Sequence, residues 1–87
     1  VTPPRVVVYS KDFCGPCQRA KTLLRNRGVS FEEIDIEEDD EHRATMIALT
    51  GRRTVPQIFI NDRHVGGADD LQALAASGAL DALLTAS

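Results

Sequence analysis

Val6-Val7-Val8-Tyr9-Ser10-Lys11-Asp12-Phe13-Cys14-Gly15-Pro16-Cys17 is the stretch on which the fold turns: an apolar run, a short loop and the chain's only two cysteines. Val6 to Tyr9, apolar without alternation, reads as a strand buried on both faces. Lys11 to Phe13 then lead into the cysteines, and the helical pattern beyond them puts Cys14 at a helix N-terminus. Unpaired N–H groups and the positive end of the helix dipole favour a thiolate there, which makes the sulfur a nucleophile. Cys17, one turn further in, is expected to be more buried.

Other uses of two cysteines fit less well. A structural zinc site needs about four ligands, and the remaining donors, His42 and His64, have no finger-like spacing. A structural disulfide across so short a loop removes little entropy from the unfolded chain. A dithiol redox site is the reading that remains.

Working outward, Ala20, Leu23 and Leu24 give the stripe of a helix from about Pro16 to Arg27, with Pro16 in the first turn and Gly28 at the end. Phe31, Ile34 and Ile36 mark a second strand whose alternation is broken. Strand, helix and strand in this order predict a parallel pair. The acidic block Glu37 to Glu41 caps a second helix, with Ala44, Ile47 and Ala48 facing inward beside Met46 and Leu49, and Gly51 at its end. The block needs no metal to explain it. Gln57 to Ile60 and Arg63 to Val65, joined at Asn61-Asp62, read as an antiparallel hairpin. Leu71, Leu74 and Ala75 mark a third helix that stops at Gly78, and Leu80, Leu83 and Leu84 supply a last turn or two. The order βαβαββα predicts an α/β fold: a mixed four-stranded sheet with helices on both faces. A C-x-x-C at the first strand-to-helix turn is the thioredoxin-like arrangement.

The 87 residues make one domain, residues 1–87, and the net charge is −3. Lys11, Arg19, Lys21, Arg25 and Arg27 gather around the cysteines, which suits a thiolate and an anionic small molecule or acidic protein partner. An ordinary solvated helix face explains Arg25 and Arg27 equally well. Nucleic-acid binding is not expected, since no aromatic residues interleave with the basic ones. No apolar run approaches the roughly 20 residues that span a bilayer, so no membrane partner is expected. The start of the chain lacks a secretory pattern, and with no disulfide framework a cytoplasmic location is expected.

Three separated motifs carry a resemblance that covers nearly the whole chain: Lys11 three residues before Cys14, Thr54-Val55-Pro56 before the third strand, and Gly66-Gly67-Ala68-Asp69-Asp70 opening the third helix. In order and spacing they resemble the small bacterial dithiol glutaredoxins. The resemblance implies a thioredoxin fold and a glutathione-dependent thiol-disulfide oxidoreductase. Cys14 would be the nucleophile, Cys17 the resolving thiol and glutathione the co-substrate. It also implies a cis Pro56 that turns the backbone of Val55 toward the cysteines, where an extended peptide pairs with it.

The γ-glutamyl end of glutathione would then meet Gly67, Ala68 and Asp69, with an acid side chain on its ammonium. Asp70 fits a helix-stabilising role as well as ligand contact. Lys11, with Arg52 or Arg53, would hold the glycyl carboxylate. Thr54, Val55 and Pro56 complete the glutathione-binding set. Partners implied are glutathionylated or disulfide-containing proteins, with the chain a monomer.

In one place the pattern departs. The family usually reads C-P-Y-C, whereas Gly15-Pro16 is the dipeptide associated with thioredoxins, and Ala68 stands where some members carry a third cysteine. The dipeptide implies a reduction potential displaced from about −200 to −230 mV toward about −270 mV. Two alternatives follow. No metal is expected at the site unless two chains share a [2Fe-2S] cluster through Cys14 and glutathione, in which case the protein is a dimer; Gly15 favours that reading by freeing N–H groups beside Cys14. A thioredoxin-like reductase rests on the dipeptide alone.

Overall fold

Val6 to Ser10 form β1, and every residue of it is buried. The reason is that the strand is central and covered twice. Val6 and Val8 face a core built with Ala20, Leu24, Ile58, Ile60, Leu71 and Leu80. Val7 and Tyr9 face a smaller one with Ile36 and Met46. The computed structural model describes residues 3–85. After β1 come α1 (Gly15–Asn26), β2 (Glu32–Asp35), α2 (Asp40–Thr50), β3 (Gln57–Ile60), β4 (Arg63–Gly66), α3 (Ala68–Ser77) and α4 (Ala79–Thr85).

The sheet has four strands in the order β2-β1-β3-β4. β1 and β2 are parallel, as the strand-helix-strand pattern predicts, with Tyr9 opposite Ile34. β3 runs antiparallel to β1, pairing Val8 with Ile58, and β4 closes the predicted hairpin with a register shift at Ile58/Phe59. Asn61 and Asp62 both take positive φ, 51° and 66°, the geometry of a two-residue turn that matches strand twist. Helices lie on both faces, with α1, α3 and α4 over the larger core and α2 over the smaller.

Three expectations change. The broken alternation of the second strand is a change of partner: Phe31 precedes the strand and packs on the α1 side, while Ile34 and Ile36 pack on the α2 side. In α2, Ala44 and Ala48 are exposed and Leu49 is 58% exposed, leaving Met46 buried with Ile47 packed against the core. A short helix on a narrow strip of sheet buries one narrow face, so Met46 takes the place expected of the alanines. The last turn is a separate helix, α4, set off by Gly78 at φ 84°, where only glycine is unstrained. Among the described residues no helix is long and apolar enough to cross a membrane.

Candidate active site

β1 ends in the Lys11 to Phe13 loop, and the chain enters α1 through Cys14 as N-cap, in extended conformation at φ −117° and ψ 108°. Gly15 and Pro16 fill the first helical positions, where the absent proline N–H has no intrahelical partner to lose. The backbone N–H of Cys17 donates to Cys14 Sγ at 3.3 Å, so the first turn is closed on the sulfur itself. Negative charge is favoured at such a position.

One turn separates two different sulfurs. Cys14 is 8% exposed and Cys17 is 0% exposed. Burial, and then hydrogen bonding to Cys14, pushes the Cys17 thiol from 9.0 up to about 11, while the backbone N–H of Lys11 and the charge of Lys21 pull the other way. Cys17 is therefore a thiol at neutral pH.

The facing wall comes from distant sequence. The Val55-Pro56 bond is cis, as the resemblance implies, and the carbonyl oxygen of Val55 lies 3.9 Å from Cys14 Sγ. Gln57, fully buried at the start of β3, donates through Nε2 to Thr54 O at 3.1 Å and to Thr54 Oγ1 at 3.2 Å. Its Oε1 is left to accept from His64 Nε2 at 2.7 Å. Burial pushes the His64 pKa down, and the charge of Arg52 adds to this. At the start of α3, Asp70 Oδ2 accepts from the backbone N–H of Gly67 at 2.9 Å and from Arg52 Nη1 at 3.2 Å. Those two donors hold the Asp70 carboxyl below its usual range, the Gly67 N–H more than Arg52.

Between the walls lies a cleft of about 210 Å³, lined by Pro16 and Arg19 of α1, by Arg52 and the Thr54 to Gln57 segment, and by Gly67, Ala68, Asp69 and Asp70. Eight of the residues that the resemblance singled out for glutathione thus meet: Arg52, Thr54, Val55, Pro56, Gly67, Ala68, Asp69 and Asp70. Lys11 is half-buried and is not part of this lining. Arg53 is likewise outside it. Arg19, named in the sequence only as one of the basic residues around the cysteines, lines the cleft, and Gln57 escaped sequence reasoning as a cleft residue. A larger cavity, about 440 Å³, lies away from the cysteines against Pro3, Pro4, Arg27 and Asp81.

The basic neighbourhood of the cysteines is smaller than the sequence suggests. Lys21 is buried and paired with Glu33 at 2.7 Å, whose carboxyl it holds low together with a hydrogen bond from Ser10. Arg25 lies over the ring of Phe31 at 5.5 Å, and Arg27 pairs with Asp81. Lys11 and Arg19 form no ion pair among the described residues. Beside Cys14, Phe13 has φ 56°, and a side chain in the left-handed region costs roughly 1 to 2 kcal/mol.

The glutaredoxin family profile matches residues 6–65. Glutaredoxin 3 of Escherichia coli (strain K12) is 53% identical over 79 residues, covering 91% of this chain and 95% of the relative. A glutaredoxin of Pseudomonas aeruginosa is 51% identical over 83 residues, covering 95% and 99%. Among solved structures, a buckwheat glutaredoxin-glutathione complex superposes with a TM-score of 0.86 at 36% identity, covering 92% of this chain and 76% of that one. The Brucella melitensis glutaredoxin superposes at 0.85 with 48% identity, covering 97% and 91%. The sheet and helices described above are the thioredoxin fold of these proteins.

Proposed function

The chain belongs to the glutaredoxin family, and from that membership we propose that it is a glutathione-dependent thiol-disulfide oxidoreductase with Cys14 as nucleophile and Cys17 as resolving thiol. The observation that carries the division of roles is the contrast across one helical turn. Cys14 Sγ caps the helix 3.9 Å from the carbonyl oxygen of Val55, a residue of the cleft, whereas Cys17 is buried with its thiol pushed up to about 11.

In the monothiol route the Cys14 thiolate attacks the glutathione sulfur of a mixed disulfide. The S–S bond breaks, the substrate protein leaves as thiolate and takes a proton, and glutathione stays on Cys14. A second glutathione thiolate attacks that disulfide, releasing glutathione disulfide and the Cys14 thiolate. In the dithiol route Cys14 attacks a protein disulfide, and Cys17 then displaces the protein, leaving a Cys14–Cys17 disulfide for two glutathiones to reduce. Two of the effects that keep Cys17 protonated, its hydrogen bond to Cys14 and the charge of Cys14, vanish once Cys14 is in a mixed disulfide. Cys17 thus loses its proton more readily at the step that needs a second nucleophile.

Glutathione lies along the cleft in this reading. Its cysteinyl part pairs with the backbone of Val55 as an added strand, flanked by Thr54 and Pro56. Its γ-glutamyl carboxylate takes the N–H groups at the start of α3 around Gly67, Ala68 and Asp69. Asp70 is shared by Gly67 and Arg52, and the exposed Asp69 takes the ammonium. Lys11, with Arg53 or Arg52, takes the glycyl carboxylate. Reduced glutathione is abundant in the cytosol, which suits a cytoplasmic location. Glutathionylated and disulfide-containing proteins are the partners.

Coupled reduction of a glutathionylated protein tests this. The parent turns over with glutathione and Cys14→Ser does not; a parent that needs no glutathione, or a Cys14→Ser variant that still works, contradicts the reading. The described residues of one chain do not make a [2Fe-2S] site, since full burial of Cys17 leaves Cys14 as the less buried thiol. A cluster would require two chains and two glutathiones, and a colourless protein after anaerobic reconstitution would dismiss it.

A further inference from the structure

The residue bonded to the nucleophile carries two costs at once. Phe13 holds a left-handed backbone at φ 56°, and its ring is fully exposed, at 102%. The other aromatics are packed. Tyr9 and Phe59 meet edge to face at 6.0 Å, and Phe31 lies under Arg25. Asn61 and Asp62 share the positive φ, but they are short polar residues that tolerate it, in a hairpin turn that requires it. A bulky ring has no such local reason to be at Phe13, where glycine or asparagine would make the turn more easily. Strain that collects beside a reacting group points to use in binding.

The ring is not used by the cleft. Neither Phe13 nor Cys14 lines the groove that joins Pro16 and Arg19 to Thr54–Gln57 and Gly67–Asp70, so the exposed ring stands beside the sulfur and outside that groove. The other group brought up to Cys14 during the attack is the leaving half of the mixed disulfide, the protein. We propose that Phe13 is the docking contact for that half: its ring takes an apolar side chain beside the reacting cysteine of the substrate protein. Such a contact removes apolar surface of both partners from water next to the bond being broken. It also selects among substrates that present the same glutathione. The proposal rests on the oxidoreductase reading of Cys14.

The test uses two glutathionylated peptides that differ only in having Leu or Ser beside the cysteine, with the glutathione mixed disulfide of free cysteine as reference. The parent is expected to prefer the Leu peptide by about tenfold in kcat/KM. Phe13→Asn, which suits the left-handed backbone, brings the ratio to about one, and Phe13→Trp keeps it. A parent without preference, a Phe13→Asn variant that retains it, or a Phe13→Trp variant that loses it overturns the proposal. Failure of the parent on the reference compound overturns the oxidoreductase reading instead, and this one with it.

Discussion

The two walls of the cleft are made differently. The α1 wall is local: Pro16 and Arg19 line the cleft within two turns of Cys14 and Cys17, and the chemistry beside it comes from a difference in burial between the two sulfurs. The opposite wall is assembled from Arg52, the Val55-Pro56 segment and the start of α3, which the β3-β4 hairpin brings together. It presents backbone N–H and C=O groups and two carboxylates, Asp69 and Asp70, the second tying Gly67 to Arg52. The lesson is a division of labour. In the proposed reading thiol exchange depends on two sulfurs that are neighbours in sequence, whereas glutathione recognition depends on main chain and side chains brought together from far apart in sequence.

Removing the nucleophile breaks the first wall most severely. Cys14→Ser is expected to lower turnover of every disulfide substrate by more than roughly 1,000-fold, with folding intact by circular dichroism; residual turnover within tenfold of the parent would transfer the chemistry elsewhere.

The buried sulfur should be visible as a stability effect. Its thiol is raised in the folded state from 9.0 to about 11, so its contribution is fully present below pH 9 and is lost as pH rises toward 11. That loss is on the order of 2 to 3 kcal/mol. Denaturant titrations of the reduced protein across this window should show the decline in the parent and not in Cys17→Ala.

The dipeptide tunes the same wall. Gly15 has open space where a Cβ would go, so the family's usual dipeptide can be tested with a Gly15→Pro/Pro16→Tyr double variant. Equilibration with a glutathione redox buffer should place the parent near about −270 mV and the variant nearer −200 to −230 mV, a difference of ~2 to 3 kcal/mol. Equal potentials would show that the dipeptide does not set them.

The second wall is expected to answer with a smaller effect. Asp70→Ala releases both Gly67 and Arg52, and a half-exposed charge-assisted contact of this kind is worth about 1 kcal/mol. Steady-state kinetics should show KM for glutathione raised about fivefold with kcat little changed. A fall in kcat alone would place Asp70 in the chemistry of the first wall.

The same division explains what the sequence disclosed. The unbroken Val6 to Tyr9 run, the helical stripe after it and the Asn61-Asp62 turn are local patterns, and the strand order and hairpin follow from them. Resemblance, rather than any local rule, supplied the cis bond before Pro56 and the meeting of Thr54, Val55 and Gly67 across the cleft. Three features were legible by neither route. Lys21 reads as a surface cation but is buried against Glu33, a partner that only the pairing of β1 with β2 brings near. Gln57 reads as the polar start of a strand but is buried, bonded to Thr54 and His64. Ala44 and Ala48 read as core, yet the sheet surface under α2 admits Met46 and leaves the alanines in solvent.

The central claim, that Cys14 suffices for the glutathione route and Cys17 serves only to resolve, is tested most directly by one measurement. The small glutathione mixed disulfide of cysteine is given to Cys17→Ser with glutathione in excess, beside the parent and Cys14→Ser. The account predicts turnover comparable to the parent for Cys17→Ser and background for Cys14→Ser. A Cys17→Ser rate that falls to the Cys14→Ser level would contradict it, because both sulfurs would then be required for every substrate.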